Sequence, residues 1–116
     1  MIVRKNDVQS FDFGGLEIFD YTAGCEEQSS FAVIHVEPKV RHQLSWSKRS
    51  DKYYYVVRGR VEFLIQDTKV TLEEGDFCIV RQGEKFYYHN TSDERVTLVL
   101  VHTPHFILEE EVYLDD

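Results

Sequence analysis

The sequence has few of the residues that mark disulfide-rich, membrane-spanning or secreted proteins. Its 116 residues include two cysteines and two prolines. Two thiols are too few for a disulfide framework or a thiolate metal cage, and neither Cys25 nor Cys78 has a histidine at a spacing typical of a nucleophilic pair. No apolar run approaches the roughly 20 residues that span a bilayer, and the start, MIVRKND, turns polar too early for a secretory signal. We therefore expect a cytoplasmic protein with no membrane partner.

Positive charge is also scarce. Lysine and arginine number 13 against 21 acidic residues, which gives a formal net charge of −8. Because nucleic-acid binding needs clustered basic residues, this balance argues against nucleic acid as a partner. The charge is uneven, since the C-terminal stretch EEEVYLDD is acidic while KVRHQLSWSKRSDK is locally basic. The simplest interpretation is a solvated tail and a solvated loop, and the alternative is a rim that attracts anions.

β-branched and aromatic residues, in contrast, are abundant and fall in short runs bounded by turn residues. This pattern predicts an all-β, single-domain chain over residues 1–116, built as a sandwich, jelly roll or barrel. Only the acidic end, FILEEEVYL, allows a short helix, with an extended tail as the other prediction. The predicted strands are LEIFDYT, SFAVIHVE, KYYYVVRG, RVEFLIQD, TKVTLEE, DFCIVRQ, KFYYHNT and RVTLVLVH.

Three glycines and one asparagine occur at a spacing that is informative about the fold. Gly75, Gly83 and Asn90 match the glycine and asparagine positions of the second conserved motif of the cupin superfamily, and Gly59 matches the last glycine of the first motif. The sequence resembles that superfamily over about residues 30–103. The resemblance implies a small jelly-roll β-barrel.

The same alignment shows which of the family's metal ligands are missing. Metal-dependent cupins use three histidines and one glutamate, and here Ser45, Ser47 and Phe86 stand at the histidine positions and Lys52 at the glutamate. A hydroxyl is a poor neutral ligand, an ammonium repels a cation and a phenyl ring coordinates nothing. We therefore predict that the usual metal site is absent, with no metal and no other cofactor.

The five histidines leave a relocated metal site open as an alternative. The sequence shows no carboxylates placed to complete such a site, so ordinary hydrogen-bonded histidines are the simpler interpretation. The histidines are His35, His42, His89, His102 and His105.

Strand alternation predicts which side chains line the barrel. If Phe86 points inward, Tyr88 does so too and His89 points outward. Lys52 would then bind an anionic group of a ligand, or act as a base or Schiff-base amine if desolvated. Alternatively it reaches the barrel mouth or pairs with Asp51. The predicted ligand-binding residues are Ser45, Ser47, Lys52, Tyr54, Phe63, Phe86, Tyr88 and His102.

This interior predicts a cupin that binds a small molecule, sugar-like or anionic, without metal. The first alternative is a metal-independent sugar or sugar-nucleotide isomerase or epimerase. Its acid–base candidates are His102, Tyr54, Tyr88 and Lys52. The second alternative is a dimerisation scaffold without catalysis, which resembles the kinetochore-type cupins. The partners we expect are a small-molecule ligand and a second copy of the chain, and the scaffold alternative requires only the second copy.

Overall fold

The computed structural model describes residues 1–25 and 27–115, and this part of the chain is almost entirely β-structure. Short 3₁₀ turns at Lys5–Asp7 and Leu108–Glu110 are its helical elements. None of its helices is long and apolar enough to cross a membrane. The strands are β1 (Phe11–Phe13), β2 (Leu16–Asp20), β3 (Ser30–Val36), β4 (Ser45–Ser47), β5 (Asp51–Arg58), β6 (Val61–Ile65), β7 (Thr68–Leu72), β8 (Phe77–Val80), β9 (Phe86–His89), β10 (Val96–Thr103) and β11 (Glu111–Tyr113).

The strands form two antiparallel sheets that face each other across one core. The six-stranded sheet has the order β1-β2-β3-β10-β5-β8, and the five-stranded sheet has the order β11-β4-β9-β6-β7. Strands that are distant in sequence lie side by side in both sheets, as in a jelly roll. The predicted all-β, jelly-roll architecture is confirmed.

Alternating burial along the strands sets the inner face of the barrel. On β9, Phe86 and Tyr88 are fully buried and His89 is partly exposed, which is the predicted orientation. The core combines aliphatic side chains with a central aromatic group, in which Tyr54, Phe63 and Tyr88 contact one another with ring centroids 5.2–5.4 Å apart.

The family's glycine and asparagine positions have structural roles. Gly59 has a φ of +90°, and a Cβ there would lie 3.0 Å from Val96 Cγ2, so only glycine fits this turn without strain. Asn90 is fully buried, and its Nδ2 donates hydrogen bonds to the carbonyl oxygens of Val36 (2.9 Å) and Glu94 (2.7 Å). These two residues fix connections between strands rather than contacts with a ligand.

The acidic C-terminal stretch differs from its predicted solvated state. After the 3₁₀ turn the chain is extended, and β11 pairs with β4 so that Glu111 lies opposite Ser47. The side chain of Glu111 is 2% exposed, so the prediction of a solvated tail is wrong for this residue. Its carboxylate forms an ion pair with the buried Lys52 of β5. Asp116 lies outside the described residues.

Candidate functional site

A cavity of about 220 Å³ opens between the two sheets, at the end where the β1–β2 hairpin meets the C-terminal segment. Its wall is mostly apolar, with Phe11, Phe13 and Phe106 among the side chains around it. A few polar groups converge on this apolar space, which is the usual composition of a small-molecule site. They include His42, Lys52, Tyr54, Tyr88, His102 and Glu111.

Lys52 lies at the centre of a buried polar network in the cavity. Its Nζ donates hydrogen bonds to Glu111 Oε1 and to His102 Nε2, the latter at 2.9 Å. Lys52 is 4% exposed and His102 6%. The ammonium therefore has an internal counter-ion, and it neither reaches the barrel mouth nor pairs with Asp51, whose carboxylate binds Arg81 instead.

The network determines the protonation of its members. Burial lowers the pKa of Lys52, while the charge of Glu111 and its hydrogen bond act in the opposite direction. Burial, and then the charge of Lys52, lower the pKa of His102 to about 2. His102 is therefore neutral at physiological pH, and its Nε2 is occupied as the acceptor of the lysine proton.

His42, in the loop between β3 and β4, also lines the cavity. Its backbone N–H donates to the carbonyl of Tyr88 (2.8 Å), and its Nδ1 bonds to the carbonyl of Gln43 (2.6 Å). Because a carbonyl only accepts, Nδ1 carries the proton and Nε2 is left as an acceptor. Burial, and then the charge of Lys52, lower the pKa of His42 to about 4, so it is neutral at physiological pH.

The hydroxyl of Tyr88, a residue that lines the cavity, is buried. Within the part of the chain that the structure describes, this buried hydroxyl has no hydrogen-bond partner. Its ring lies 4.8 Å from that of His42 and 5.4 Å from that of Tyr54, centroid to centroid. Burial is the main cause that raises the pKa of Tyr54 and of Tyr88, so both hydroxyls stay protonated. An unpaired buried hydroxyl beside a cavity is a position where a ligand would supply the missing hydrogen bond.

The predicted ligand-binding residues divide into two groups. Lys52, Tyr54, Tyr88 and His102 line the cavity, whereas Ser45, Ser47, Phe63 and Phe86 do not. Ser47 Oγ accepts hydrogen bonds from the backbone N–H groups of Arg49 and Ser50, so it stabilises a turn. The two phenylalanines belong to the fully buried core.

Four ionisable residues of the cavity are not among those predicted from the sequence, namely Asp20, His42, Glu111 and Tyr113. The sequence suggests His42 only as a possible metal ligand and predicts Glu111 in a solvated tail. The sequence contains one signal for Glu111, because a lysine predicted to face the interior requires a buried counter-ion. It contains no comparable signal for His42, since a loop residue has no strand alternation to orient it.

The other histidines lie away from the cavity. His35 Nδ1 is 3.0 Å from Thr97 Oγ1 on the outer surface of the six-stranded sheet, and Arg49 Nη2 donates to His105 Nδ1 (3.3 Å). Across residues 1–25 and 27–115, no three His, Cys, Asp or Glu side chains converge as a metal site would require.

The residues at the family's metal-ligand positions do not fit a metal. Ser45, Ser47, Lys52 and Phe86 are all buried, so these positions do face the interior. However, Ser47 already binds two backbone donors, and the Nζ of Lys52 lies 5.7 Å from the Phe86 ring centroid, where a cation would be repelled. This set of side chains offers no imidazole or carboxylate donor to a metal.

Comparison with known proteins agrees with the fold. Residues 32–102 match the family model described as Cupin domain. A search against curated proteins finds no similar sequence. Among solved structures, Pac13 from Streptomyces, described as a nucleoside dehydratase, superposes with a TM-score of 0.86 at 21% identity, covering 98% of this chain and 90% of Pac13, in a His-to-Gln variant with uridine.

Pac13 is also solved with uridine in two Tyr-to-Phe variants. The cupin domain of Schizosaccharomyces pombe Cnp3 gives a TM-score of 0.76 at 17% identity, covering 85% of this chain and 70% of that one. A predicted oxalate decarboxylase from Thermotoga maritima gives 0.80 at 18% identity, covering 90% and 99%. At these identities the likeness concerns the fold.

Proposed function

The chain belongs to the cupin domain family, and we propose that its barrel binds a compact, nucleoside-like small molecule without the metal that many cupins use. The observation that carries this proposal is the unpaired Tyr88 hydroxyl beside a cavity that is also lined by His42, whose Nε2 is an acceptor. These groups offer one hydrogen-bond donor and one acceptor to the same ligand. The cavity, at about 220 Å³, is smaller than a typical drug-sized site and suits a compact ligand.

The choice of a nucleoside-like ligand rests on the site and on one neighbour. An apolar, aromatic wall with a few hydrogen-bonding groups suits a planar base attached to a hydroxylated sugar. Pac13 is solved with uridine in variants that replace a histidine or a tyrosine. His42, Tyr54 and Tyr88 bring the same residue types together around this cavity.

A second function, acid–base catalysis, is favoured by the paired geometry of His42 and Tyr88. The neutral imidazole can take a proton at Nε2 from a carbon beside a ligand carbonyl, and the tyrosine can donate a hydrogen bond to the oxygen that becomes negative. Returning a proton to the opposite face of this carbon would epimerise it. Losing a β-hydroxyl group as water would instead form a C=C bond. We assign the base to His42 rather than His102, because the Nε2 of His102 already accepts from Lys52.

The scaffold alternative is less consistent with this interior. A barrel that only holds two chains together has no need of a buried ion pair, which is costly to desolvate.

We nevertheless propose that the chain forms a homodimer, through the outer face of its six-stranded sheet. That face carries Phe31, Tyr55 and Phe77, which are 39%, 45% and 54% exposed. Outer faces of antiparallel sheets are usually polar, and aromatic residues are enriched at interfaces.

Binding is tested by thermal shift and calorimetry with uridine, using Tyr88→Phe and His42→Gln. A ligand at a hundredfold excess over its Kd stabilises the protein by about 2.7 kcal/mol, so the midpoint should rise by roughly 10 °C or more. Each substitution should weaken binding by about tenfold, the effect of one lost hydrogen bond. Unchanged affinity in both variants would show that these groups do not hold the ligand.

Metal independence and catalysis need separate measurements. The metal-free proposal would be contradicted if the purified protein contained a stoichiometric transition metal and if chelation of that metal abolished uridine binding.

Proton abstraction is tested by NMR in D₂O with a panel of aldehyde and ketone sugars. Deuterium should enter the carbon beside the carbonyl with the wild type, and not with His42→Gln.

A further inference from the structure

We propose that Glu111 is a specificity-determining residue, which excludes anionic ligands from the cavity by supplying the counter-charge of Lys52 from within the chain. The inference rests on the proposed small-molecule function and names the charge class of the ligand. Carboxylate- and phosphate-bearing ligands are excluded, and sugars or nucleosides without an ionised group are accepted.

The first argument is the geometry of the ammonium group. An ammonium has three donors, and two of those on Lys52 are already directed to Glu111 Oε1 and His102 Nε2. An anionic ligand that used the third donor would lie beside the negative charge of Glu111, which would repel it, and a closer contact with Lys52 would have to displace Glu111. The displaced carboxylate, now 2% exposed, would remain buried without a partner, which costs more than the new contact provides.

The second argument is the charge of the rest of the cavity. Lys52 is the one cationic side chain that lines it among the described residues, and a second carboxylate, Asp20, lies on the same wall. Asp20 Oδ1 accepts hydrogen bonds from the backbone N–H and the hydroxyl of Thr22, both at 3.0 Å. With His42 and His102 neutral, the lining carries more negative than positive charge. An anionic ligand would therefore lose its hydration without meeting an available cation.

The third argument is how Glu111 is held in place. Its strand, β11, pairs residue by residue with β4, and the Tyr113 ring packs 5.6 Å from that of Phe13, centroid to centroid, beside the cavity. The backbone N–H of Lys48 also bonds to the carbonyl of Glu110 (2.8 Å). The pairing of β11 with β4 therefore holds the Glu111 carboxylate beside Lys52 in the ligand-free protein.

Chemical rescue provides the first test. In Glu111→Ala the space of the carboxylate is empty and Lys52 lacks its counter-ion, so acetate should fill the space and restore at least half of the lost thermal midpoint. Acetamide, which is uncharged and similar in size, should not. Wild type and Glu109→Ala, which removes an exposed glutamate from the same segment, should respond equally to acetate and acetamide at constant ionic strength. Should Glu111→Ala be unfolded in buffer, recovery of its β-sheet circular dichroism spectrum in acetate is the same readout.

Two results of the rescue experiment would overturn the proposal. One is an acetate response of the wild type as large as that of Glu111→Ala, because Lys52 would then be accessible to anions with Glu111 in place. The other is no acetate response in Glu111→Ala, because the lysine would then not attract a carboxylate at all. Both results are independent of whether uridine binds.

Ligand selectivity provides the second test and uses the isosteric Glu111→Gln. Calorimetry compares uridine with its 5′-carboxylate, which has a similar size and one negative charge. The wild type should prefer uridine by at least tenfold, and Glu111→Gln should shift the preference at least tenfold toward the carboxylate, with Glu109→Gln unchanged. A preference that stays within twofold of wild type in Glu111→Gln would refute the specificity role. Failure of uridine to bind any of the proteins would instead count against the proposed function, and the rescue experiment would still decide the role of Glu111.

Discussion

Lys52 and Glu111 form an ion pair inside the barrel although 59 residues separate them in the chain. The lysine occupies the position where metal-binding cupins carry a glutamate, and the glutamate comes from the last strand. Where those cupins have a carboxylate that binds a metal cation, this protein has a cationic side chain, and its own Glu111 neutralises that charge. This pair explains how a lysine can stay buried in a small barrel, since an unpaired buried ammonium would be strongly destabilising.

Replacing Lys52 with methionine should destabilise the fold by about 3–5 kcal/mol, because Glu111 would keep a buried charge without a partner. Urea unfolding followed by circular dichroism measures this change. The double variant Lys52→Met with Glu111→Leu should recover most of the loss, since no buried charge remains. Lys48→Met, at an exposed position of the same segment, serves as the control and should change stability by less than about 0.5 kcal/mol. A single variant as stable as the control would contradict the assigned role of the pair.

Tyr88→Phe should make the ligand-free protein more stable while weakening its binding of uridine. The hydroxyl has no partner within the described residues, so its removal relieves a desolvation penalty of about 1–3 kcal/mol. The free energy of unfolding without ligand and the affinity for uridine should therefore change in opposite directions. Tyr53→Phe, which removes a hydroxyl from the outer face of the sheet, should change neither by a comparable amount. A loss of stability in Tyr88→Phe would mean that the hydroxyl is bonded in solution.

The stability of the protein should fall as the pH is lowered from about 6.5 toward 4. Between these values an unfolded His42, with an ordinary pKa near 6.5, binds a proton that the folded protein, with a pKa of about 4, does not. His102, whose pKa falls to about 2, contributes in the same direction and over a wider range. Urea midpoints measured every half pH unit should show a steeper dependence for the wild type than for His42→Gln. The difference should be up to about 1.4 kcal/mol per pH unit. Equal slopes would assign His42 an ordinary pKa in the folded protein.

Asn90→Ala should lower the free energy of unfolding by about 2–4 kcal/mol without changing the affinity for uridine at temperatures where the variant is folded. Its side chain donates to two carbonyl groups and accepts from the backbone N–H and the hydroxyl of Ser92, all with the side chain buried. Asn90→Asp keeps the acceptor and loses the donor, so it should be comparably destabilised. An affinity that fell along with stability would imply that this corner also shapes the ligand site.

Charged substitutions on the outer face of the six-stranded sheet should separate the proposed dimer. Tyr55 and Phe77 pair across β5 and β8 and are both exposed. Tyr55→Lys with Phe77→Lys should therefore move the protein from dimer to monomer in sedimentation equilibrium, because two buried like charges would face two more from the second copy. Val70→Lys, at an exposed position of the other sheet, is the control. A wild type that sediments as a monomer at high micromolar concentration would refute the dimer.

The eight strands predicted from the sequence are all present, since each has a local cause. β-branched and aromatic residues favour extended backbone, and glycines such as Gly59 adopt the positive φ that their turns require. Alternation then gave the correct inward face for Phe86 and Tyr88, because a strand has a period of two whatever its neighbours are. The strands β1, β4 and β11 were not predicted. They have three residues each, too few for a recognisable pattern, and β4 and β11 pair with each other.

The jelly-roll frame, and the presence of Ser45, Ser47, Lys52 and Phe86 where metal-binding cupins carry ligands, could be predicted from the sequence, because turn glycines, alternation and residue chemistry are local properties. Which of these residues line the cavity depends on the tertiary structure. It moved the serines into turns and strand contacts, placed His42 against Tyr88 from a loop, and brought Glu111 to Lys52 from the far end of the chain. These contacts depend on the register of short strands and on the pairing of two buried opposite charges. Both are properties of the assembled barrel rather than of any one segment.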